Sequence, residues 1–231
     1  MIRVSGVTVD ITERKRAEDR QSLLAREVDH RAKNALALAQ SIVRLTRADT
    51  INGYVDAVEG RINALARVHT ILSLSSWRGA EIGRLVADEM APYASGSQVR
   101  AGGPEVSLQP ATAQTLALVL HELLTNSAKY GALSTRAGLL SIGWQTADDD
   151  MLAMTWEESG GPVVREPTTR GFGTRGILAG IEGQLGGQVS FDWRPEGLIC
   201  RLTVPVAERG PVQHRDERYD RANESLQTAV R

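Results

Sequence analysis

The sequence predicts an α+β protein in which an N-terminal antiparallel helical hairpin, able to form a bundle, precedes an α/β sandwich. Residues 12–45 contain no proline or glycine, and their apolar or small residues, with Arg31 completing the series, recur at alternating steps of four and three; a similar run covers residues 55–72. Such steps are typical of helices that pack along other helices. Beyond residue 77, helical segments alternate with runs that predict antiparallel strands, which indicates helices on one face of a sheet.

The hairpin prediction depends on two stripes of side chains separated by the polar segment RADTINGY. The first stripe comprises Leu24, Val28, Arg31, Ala35, Leu38, Ile42 and Leu45, and the second comprises Val55, Val58, Ile62, Leu65, His69 and Leu72. Two helices joined by a short loop form an antiparallel pair. Because this pair leaves apolar surface uncovered, we expect a homodimeric four-helix bundle, with burial against the C-terminal domain as the alternative.

The elements after the hairpin follow from local signals. A short helix is expected after Trp77, followed by short strands around a Gly-Gly-Pro turn. PATAQTLALVLHELLTNSAKYGA predicts a long helix with proline in its first turn and Gly131 near its end. LLSIGWQTA and MLAMTWEE predict one β-hairpin, a helix is expected at 175–185, and GQVSFDWRPEGLICRLTVPV predicts a second hairpin that contains Cys200 as an inert core thiol.

Composition limits the classes of partner. The chain has 27 Lys and Arg against 28 Asp and Glu, so no broad basic surface favours nucleic acid. A single cysteine fits a reducing, cytoplasmic location. No apolar run approaches the ~20 residues that a membrane-spanning helix requires, so no span is expected in this chain.

A histidine stands inside the first helical run, in EVDHRAKN. Glu27 and Asn34 share the helix face of His30, and an unperturbed histidine is mostly neutral at pH 7, which leaves a lone pair free to attack an electrophile. A lone histidine on a helix is more often structural. His69, on the apolar stripe of the second helix, is expected to be a packed residue.

Two further groups of residues indicate phosphate chemistry when taken together. Glu122, Asn126 and Lys129 follow one face of the long helix and can serve as metal or phosphate ligands, although a solvated face is the alternative. WEESGGP and RGFGTRG provide glycines through which the backbone can approach a base or a phosphate. The order of these motifs predicts a nucleotide pocket that lacks a Walker lysine loop.

These motifs resemble those of the HWE family of sensor histidine kinases. EVDHRAKN resembles its phosphoacceptor box, HELLTNSAKYGALS its N box, Trp156 and Glu158 the Trp-x-Glu of its first glycine box, and GFGTRG its second. The resemblance implies a GHKL-type ATP-binding domain and autophosphorylation of His30 from ATP and Mg²⁺. The phosphoryl group would then pass to an aspartate in the receiver domain of a response regulator.

The resemblance also implies a role for each site residue. Asn126 is expected to coordinate Mg²⁺, with Glu122 as a proton or metal-water partner and Asn34 beside the nucleophile. His121 and Lys129 are expected to face phosphate oxygens, Tyr130 to pack on the base, and Glu158 to accept the adenine amino hydrogen. Four glycines are expected to shape the pocket and its lid: Gly160, Gly161, Gly171 and Gly173.

The same resemblance divides the chain into four segments. Residues 1–19 resemble the last strand and exit linker of a PAS domain, 20–77 form the dimerisation and phosphotransfer hairpin, 78–207 the ATP-binding domain, and 208–231 a polar flexible tail. Because Arg31 occupies the position where many other kinases carry an acidic residue, phosphatase activity is not expected.

Three other functions compete with this one. A serine kinase of the anti-sigma-factor type shares the pocket but has no phosphoacceptor helix. A non-catalytic phosphotransfer or scaffold protein would have lost Asn126, Lys129 and Glu158, which this chain retains. A chaperone-like or topoisomerase-like ATPase would require a further transducer domain. The motif ESGGP departs from the Asp-x-Gly-x-Gly of many kinases, and a clear phenylalanine box is lacking. The motifs therefore do not predict the conformation of the lid.

Overall fold

A computed structural model describes residues 10–93, 98–147, 150–167 and 172–206. The chain forms two compact units that divide between Ala66 and Arg67. Most of the predicted PAS exit strand and all of the predicted tail lie outside the described residues. None of the described helices is both long enough and apolar enough to cross a bilayer.

The first unit contains helix α1 (Thr12–Leu45) and most of helix α2 (Ile51–Leu74), which confirms both predicted helices. Helix α1 begins within the segment predicted as linker. Near the connecting loop, Arg61 donates a hydrogen bond to Thr46 Oγ1 at 2.7 Å, and the Tyr54 hydroxyl donates to the Val43 carbonyl at 2.8 Å. These bonds join the two helices and confirm the hairpin.

Part of the predicted apolar stripe is exposed in this unit. Val28 is 64% exposed and Val55 50% exposed, whereas Ile42 and Leu65 are buried. The hairpin therefore leaves apolar surface uncovered, as its sequence predicts.

The second unit is built on a five-stranded sheet. Its strands are β2 (Val99–Gly102), β4 (Leu139–Ala147), β5 (Met151–Ser159), β6 (Gln188–Arg194) and β7 (Gly197–Pro205). They are ordered β2-β4-β5-β7-β6, with β2 parallel to β4 and the other pairs antiparallel. Two short strands, β1 (Ala80–Glu81) and β3 (Ser107–Leu108), pair separately. Both predicted β-hairpins are confirmed.

Three helices complete the second unit: α3 (Ile82–Met90), α4 (Pro110–Tyr130) and α5 (Phe172–Leu178), the last continuing into a π-helical segment, Ala179–Gln184. Alternate residues of β5 are buried, including Met154 and Trp156, while Thr155 and Glu157 are exposed. Because α4 also buries an apolar face, the unit is a two-layer sandwich and the α+β class is confirmed.

The predicted core thiol and the packed histidine are both confirmed. Cys200 is buried on β7, and burial raises the pKa of its thiol to about 12, which makes it unreactive at neutral pH. His69 is half-buried and meets the Trp77 ring edge to face, with the ring centroids 4.6 Å apart. Neither residue is therefore a candidate nucleophile.

A buried ion pair connects α2 with α3 in the second unit. Arg67 donates to both carboxylate oxygens of Glu89, at 3.0 and 2.6 Å, and Glu89 is 1% exposed. Burial raises the pKa of Glu89 from its ordinary value of 4.5, and Arg67 offsets that rise only in part. Because the folded state then binds the proton more tightly than the unfolded state, Glu89 lowers stability as pH rises above 4.5.

We expect Glu89→Gln to remove this pH dependence. The unfolding free energy of the wild type minus that of the variant should fall as pH rises from 4.5 through the raised pKa of Glu89, then level off. Urea denaturation between pH 4.5 and 8 measures the difference. Glu105→Gln, at an exposed loop position, is the control and should show a smaller change. A difference that rises with pH would contradict the direction of the shift.

Candidate active site

A pocket of about 430 Å³ lies in the second unit. Its lining residues are Leu123, Asn126, Tyr130, Gly131, Glu158, Val163, Val164, Arg165, Pro167, Thr174, Ile177, Phe191, Trp193 and Leu198. They come from the C-terminal half of α4, the end of β5, the loop after β5, α5, and the hairpin of β6 and β7. The volume suits a small-molecule ligand, and the lining combines apolar walls with a few polar groups.

Helix α4 provides one wall of the pocket and has an apolar face and a polar face. Pro110 lies in its first turn, where a missing N–H costs nothing, and Gly131 follows its last residue. Leu120, Leu123 and Leu124 are buried, whereas Asn126 is half-buried at the edge of the polar face. The packing of the leucines therefore fixes the direction in which Asn126 enters the pocket.

The other predicted residues of this helix have different positions. His121 and Glu122 are half-buried, and Lys129 is exposed; among the described residues, none of these three belongs to the pocket lining. Tyr130 lines the pocket, yet 73% of it is exposed. Of the five α4 residues predicted for the site, the pocket brings together two.

The start of α5 lies close to the polar face of α4. A Cβ atom at Gly173 would lie 2.9 Å from Glu122 Oε2 and 3.3 Å from the Asn126 amide nitrogen. Any side chain at this position would displace Glu122 or Asn126. The predicted glycine Gly173 thus adjoins the predicted metal ligand, while Gly171 lies outside the described residues.

Glu158 ends the buried row of β5 and is 5% exposed. The backbone N–H of Ala132 donates to its Oε2 at 2.7 Å, and the indole N–H of Trp156 donates to its Oε1 at 2.9 Å. Each carboxylate oxygen has a second lone pair. The carboxylate can therefore accept a further hydrogen bond from a ligand in the pocket, which its side chain lines.

Glycines permit the close contact between the turn after α4 and the end of β5. A Cβ at Gly131 would lie 2.0 Å from Glu158 Oε2, and one at Gly161 would lie 2.8 Å from the Ala132 Cα. Gly160 has φ +70°, a conformation that favours glycine. Among the described residues, Gly160 and Gly161 pack on this turn and do not line the pocket directly.

Sequence reasoning missed an aromatic wall on β6. Phe191 and Trp193 lie two residues apart on that strand and both line the pocket; their rings stack with centroids 5.9 Å apart and planes at 16°. Arg165 from the loop and Thr174 from α5 were also missed. The sequence did contain a signal for this wall: two aromatic residues stand at alternate strand positions in a chain with only four Trp and two Phe.

The histidine of the phosphoacceptor motif lies in the first unit, on α1. The side chain of His30 is outside the described residues. Asn34 is exposed on the same helix, and Lys33 forms an exposed ion pair with Asp29 at 2.6 Å.

Comparisons with known proteins identify a matching family and similar histidine kinases. Residues 27–105 match the sequence model of the family described as HWE histidine kinase. The chain is 38% identical over 206 residues to a blue-light-activated histidine kinase of Rhizobium johnstonii, covering 87% of this chain and 59% of that protein. It is 34% identical over 208 residues to one of Brucella anthropi, covering 87% and 42% respectively.

A solved structure has a similar fold. The Erythrobacter litoralis EL346 blue-light activated histidine kinase superposes with a TM-score of 0.62 at 24% identity, covering 83% of this chain and 60% of that one. This chain therefore spans about half the length of the relatives that it matches. The family match and the two relatives lead to one conclusion: residues 27–105 match the HWE histidine kinase family, and most of this chain is similar in sequence to histidine kinases.

Proposed function

We propose that this chain is the catalytic part of a sensor histidine kinase. It phosphorylates His30 from ATP with Mg²⁺ and passes the phosphoryl group to an aspartate of a response regulator. The observation that carries the proposal is the pocket in which an amide, Asn126, and a buried carboxylate, Glu158, line the same cavity. The whole protein's activity is part of the proposal because the chain spans only part of its relatives.

The residues present fit a nucleotide with its metal. An amide oxygen is a suitable Mg²⁺ ligand, and Asn126 supplies one at the pocket wall. Glu158 would accept a hydrogen bond from the amino group of adenine, and Tyr130 would lie against the base. Glu122, His121 and Lys129 flank Asn126 on α4 and would act on the phosphates and metal waters. Gly173 leaves room for the side chains of Glu122 and Asn126. Bound Mg²⁺ would neutralise charge on the phosphate oxygens.

The reaction then follows from the physics of phosphoryl transfer. The transition state is loose and highly charged, so positioning and electrostatic neutralisation provide most of the catalysis. The neutral imidazole of His30 attacks the γ-phosphorus in line, an N–P bond forms, and the bond to ADP oxygen breaks. Asn34, one turn further along α1, would orient the ring or the incoming group. The phosphohistidine then gives its phosphoryl group to the carboxylate of the receiver domain.

The proposal also covers the oligomeric state and the division of the chain into segments. The exposed apolar residues of the hairpin support a homodimer, which a solution mass of one chain would contradict. We assign 1–19 to a PAS exit linker, 20–77 to the phosphotransfer hairpin, 78–207 to the ATP-binding domain and 208–231 to a tail. The use of ATP and the buried free thiol of Cys200 favour the cytoplasm.

Labelling with γ-labelled ATP tests the proposal. With Mg²⁺, the protein should acquire label that survives alkali and is lost in acid, because a phosphoramidate has this stability. A receiver domain added afterwards should remove the label. Alkali-labile label would indicate a serine kinase instead, and absence of label would favour the scaffold alternative. An EDTA-treated sample serves as the control for metal dependence.

A further inference from the structure

Trp156 has a polar contact that packing alone does not require. The side chain is completely buried, and it lies on β5 two residues before Glu158, so both side chains project from the same face of the strand. The indole has one hydrogen-bond donor, and that donor is directed at Glu158 Oε1 at 2.9 Å. A buried indole N–H needs an acceptor, for which a backbone carbonyl would serve, but here the acceptor is a side-chain carboxylate that lines the pocket.

The second oxygen of the same carboxylate also accepts a hydrogen bond. Ala132, in the turn after α4, donates its backbone N–H to Oε2 at 2.7 Å. Two donors on two different oxygens fix the plane of the carboxylate, which otherwise turns freely about its last torsion. The remaining lone pairs then have a defined direction at the pocket wall.

We propose that Trp156 is a positioning residue for base recognition. Its indole N–H holds the Glu158 carboxylate in the orientation that accepts a hydrogen bond from the exocyclic amino group of an adenine nucleotide. This inference rests on the proposed function, since it assumes that the pocket binds ATP. Trp156 acts through Glu158 and does not itself contact the ligand.

A purely structural role for Trp156 predicts different behaviour. Core filling depends on volume, so a replacement that preserves shape but lacks the N–H would leave function unchanged. If the N–H positions the carboxylate, its removal leaves Oε1 buried without its donor, and Glu158 turns or recruits water. Recognition of the amino group should then weaken, whereas contacts to the ribose and phosphates should remain.

The test compares two nucleotides on the full chain. Affinities for ATP and for purine riboside triphosphate, which lacks the amino group, are measured with Mg²⁺ by calorimetry for wild type and Trp156→Phe. A second variant carries benzothienylalanine at position 156, which matches the shape of tryptophan but lacks the N–H. Trp144→Phe is the matched control, because that indole lies on the neighbouring strand β4 and donates to a backbone carbonyl, that of Pro104.

The expected result is a loss of discrimination. Wild type and Trp144→Phe should prefer ATP by about tenfold or more, and both variants at position 156 should reduce that preference to about twofold through weaker ATP binding alone. Equal weakening of both nucleotides, or a preference unchanged from wild type in the benzothienyl variant, would overturn the role of Trp156. Wild type that binds neither nucleotide would overturn the proposed function itself and this inference with it.

Discussion

His30→Ala should incorporate no label from γ-labelled ATP and should still bind the nucleotide as tightly as wild type. The reason is that alanine has no lone pair to attack phosphorus, whereas the pocket residues Asn126 and Glu158 belong to the other unit. The rate of label incorporation should therefore fall below the detection limit. Labelling measures the transfer, and calorimetry with a non-hydrolysable ATP analogue and Mg²⁺ measures the binding.

The histidine content of the chain makes this experiment decisive. The sequence contains only four histidines, so an acid-labile phosphohistidine has four candidate positions. His214→Ala, in the segment predicted as a tail, is the matched control and should be labelled like wild type. Full labelling of His30→Ala would place the phosphoacceptor on another histidine and would contradict the role of the EVDHRAKN motif.

Elements with local signals were predicted well. Helix α4 begins at Pro110 and ends before Gly131, where the sequence places a permitted proline and a terminating glycine. The two β-hairpins follow from alternating runs separated by turn residues. The start of α5 was less accurate: the helix begins at Phe172, three residues before the predicted start, because glycines and threonines give weak helix signals.

The contacts within the site depend on chain segments that are far apart in sequence. Glu158 and its donor Ala132 are 26 residues apart, and only the packing of the α4 turn on β5 brings them together. Phe191 and Trp193 reach the pocket because the β6–β7 hairpin joins the sheet through the pairing of β7 with β5, which no local pattern specifies. The motifs in the sequence could therefore identify Glu158 and Asn126 as candidate site residues. The sequence could not predict the aromatic wall or the indole contact.

The glycine pair after β5 illustrates the same limit. The sequence predicts that Gly160 and Gly161 shape the pocket, since glycines are common where backbone approaches a ligand. In the structure, the Cβ positions of both residues are occupied by the 131–138 segment, at 2.5 Å from the Ala137 carbonyl for Gly160. Their effect on the pocket is thus exerted through the turn that holds Glu158, which composition alone does not reveal.

Asn126→Ala should reduce phosphoryl transfer by about 100-fold or more, which is typical when a preorganised electrostatic group is removed from a reaction centre. The amide is half-buried at the pocket wall, and alanine offers no oxygen for Mg²⁺. The gain in ATP affinity on adding Mg²⁺ should also be lost, while binding without the metal should stay near the wild-type value. Titrations with and without Mg²⁺ separate these two quantities.

Two further variants make the assignment specific. Asn126→Asp retains an oxygen ligand and should keep part of the Mg²⁺-dependent gain in affinity, which a loss of fold in the alanine variant would not explain. Thr125→Ala is the neighbouring control, because that hydroxyl bonds to carbonyls of its own helix, at 2.9 Å to His121. Labelling of Asn126→Ala at a rate near that of wild type would contradict the metal role, since His30 would then receive the phosphoryl group without the proposed Mg²⁺ ligand.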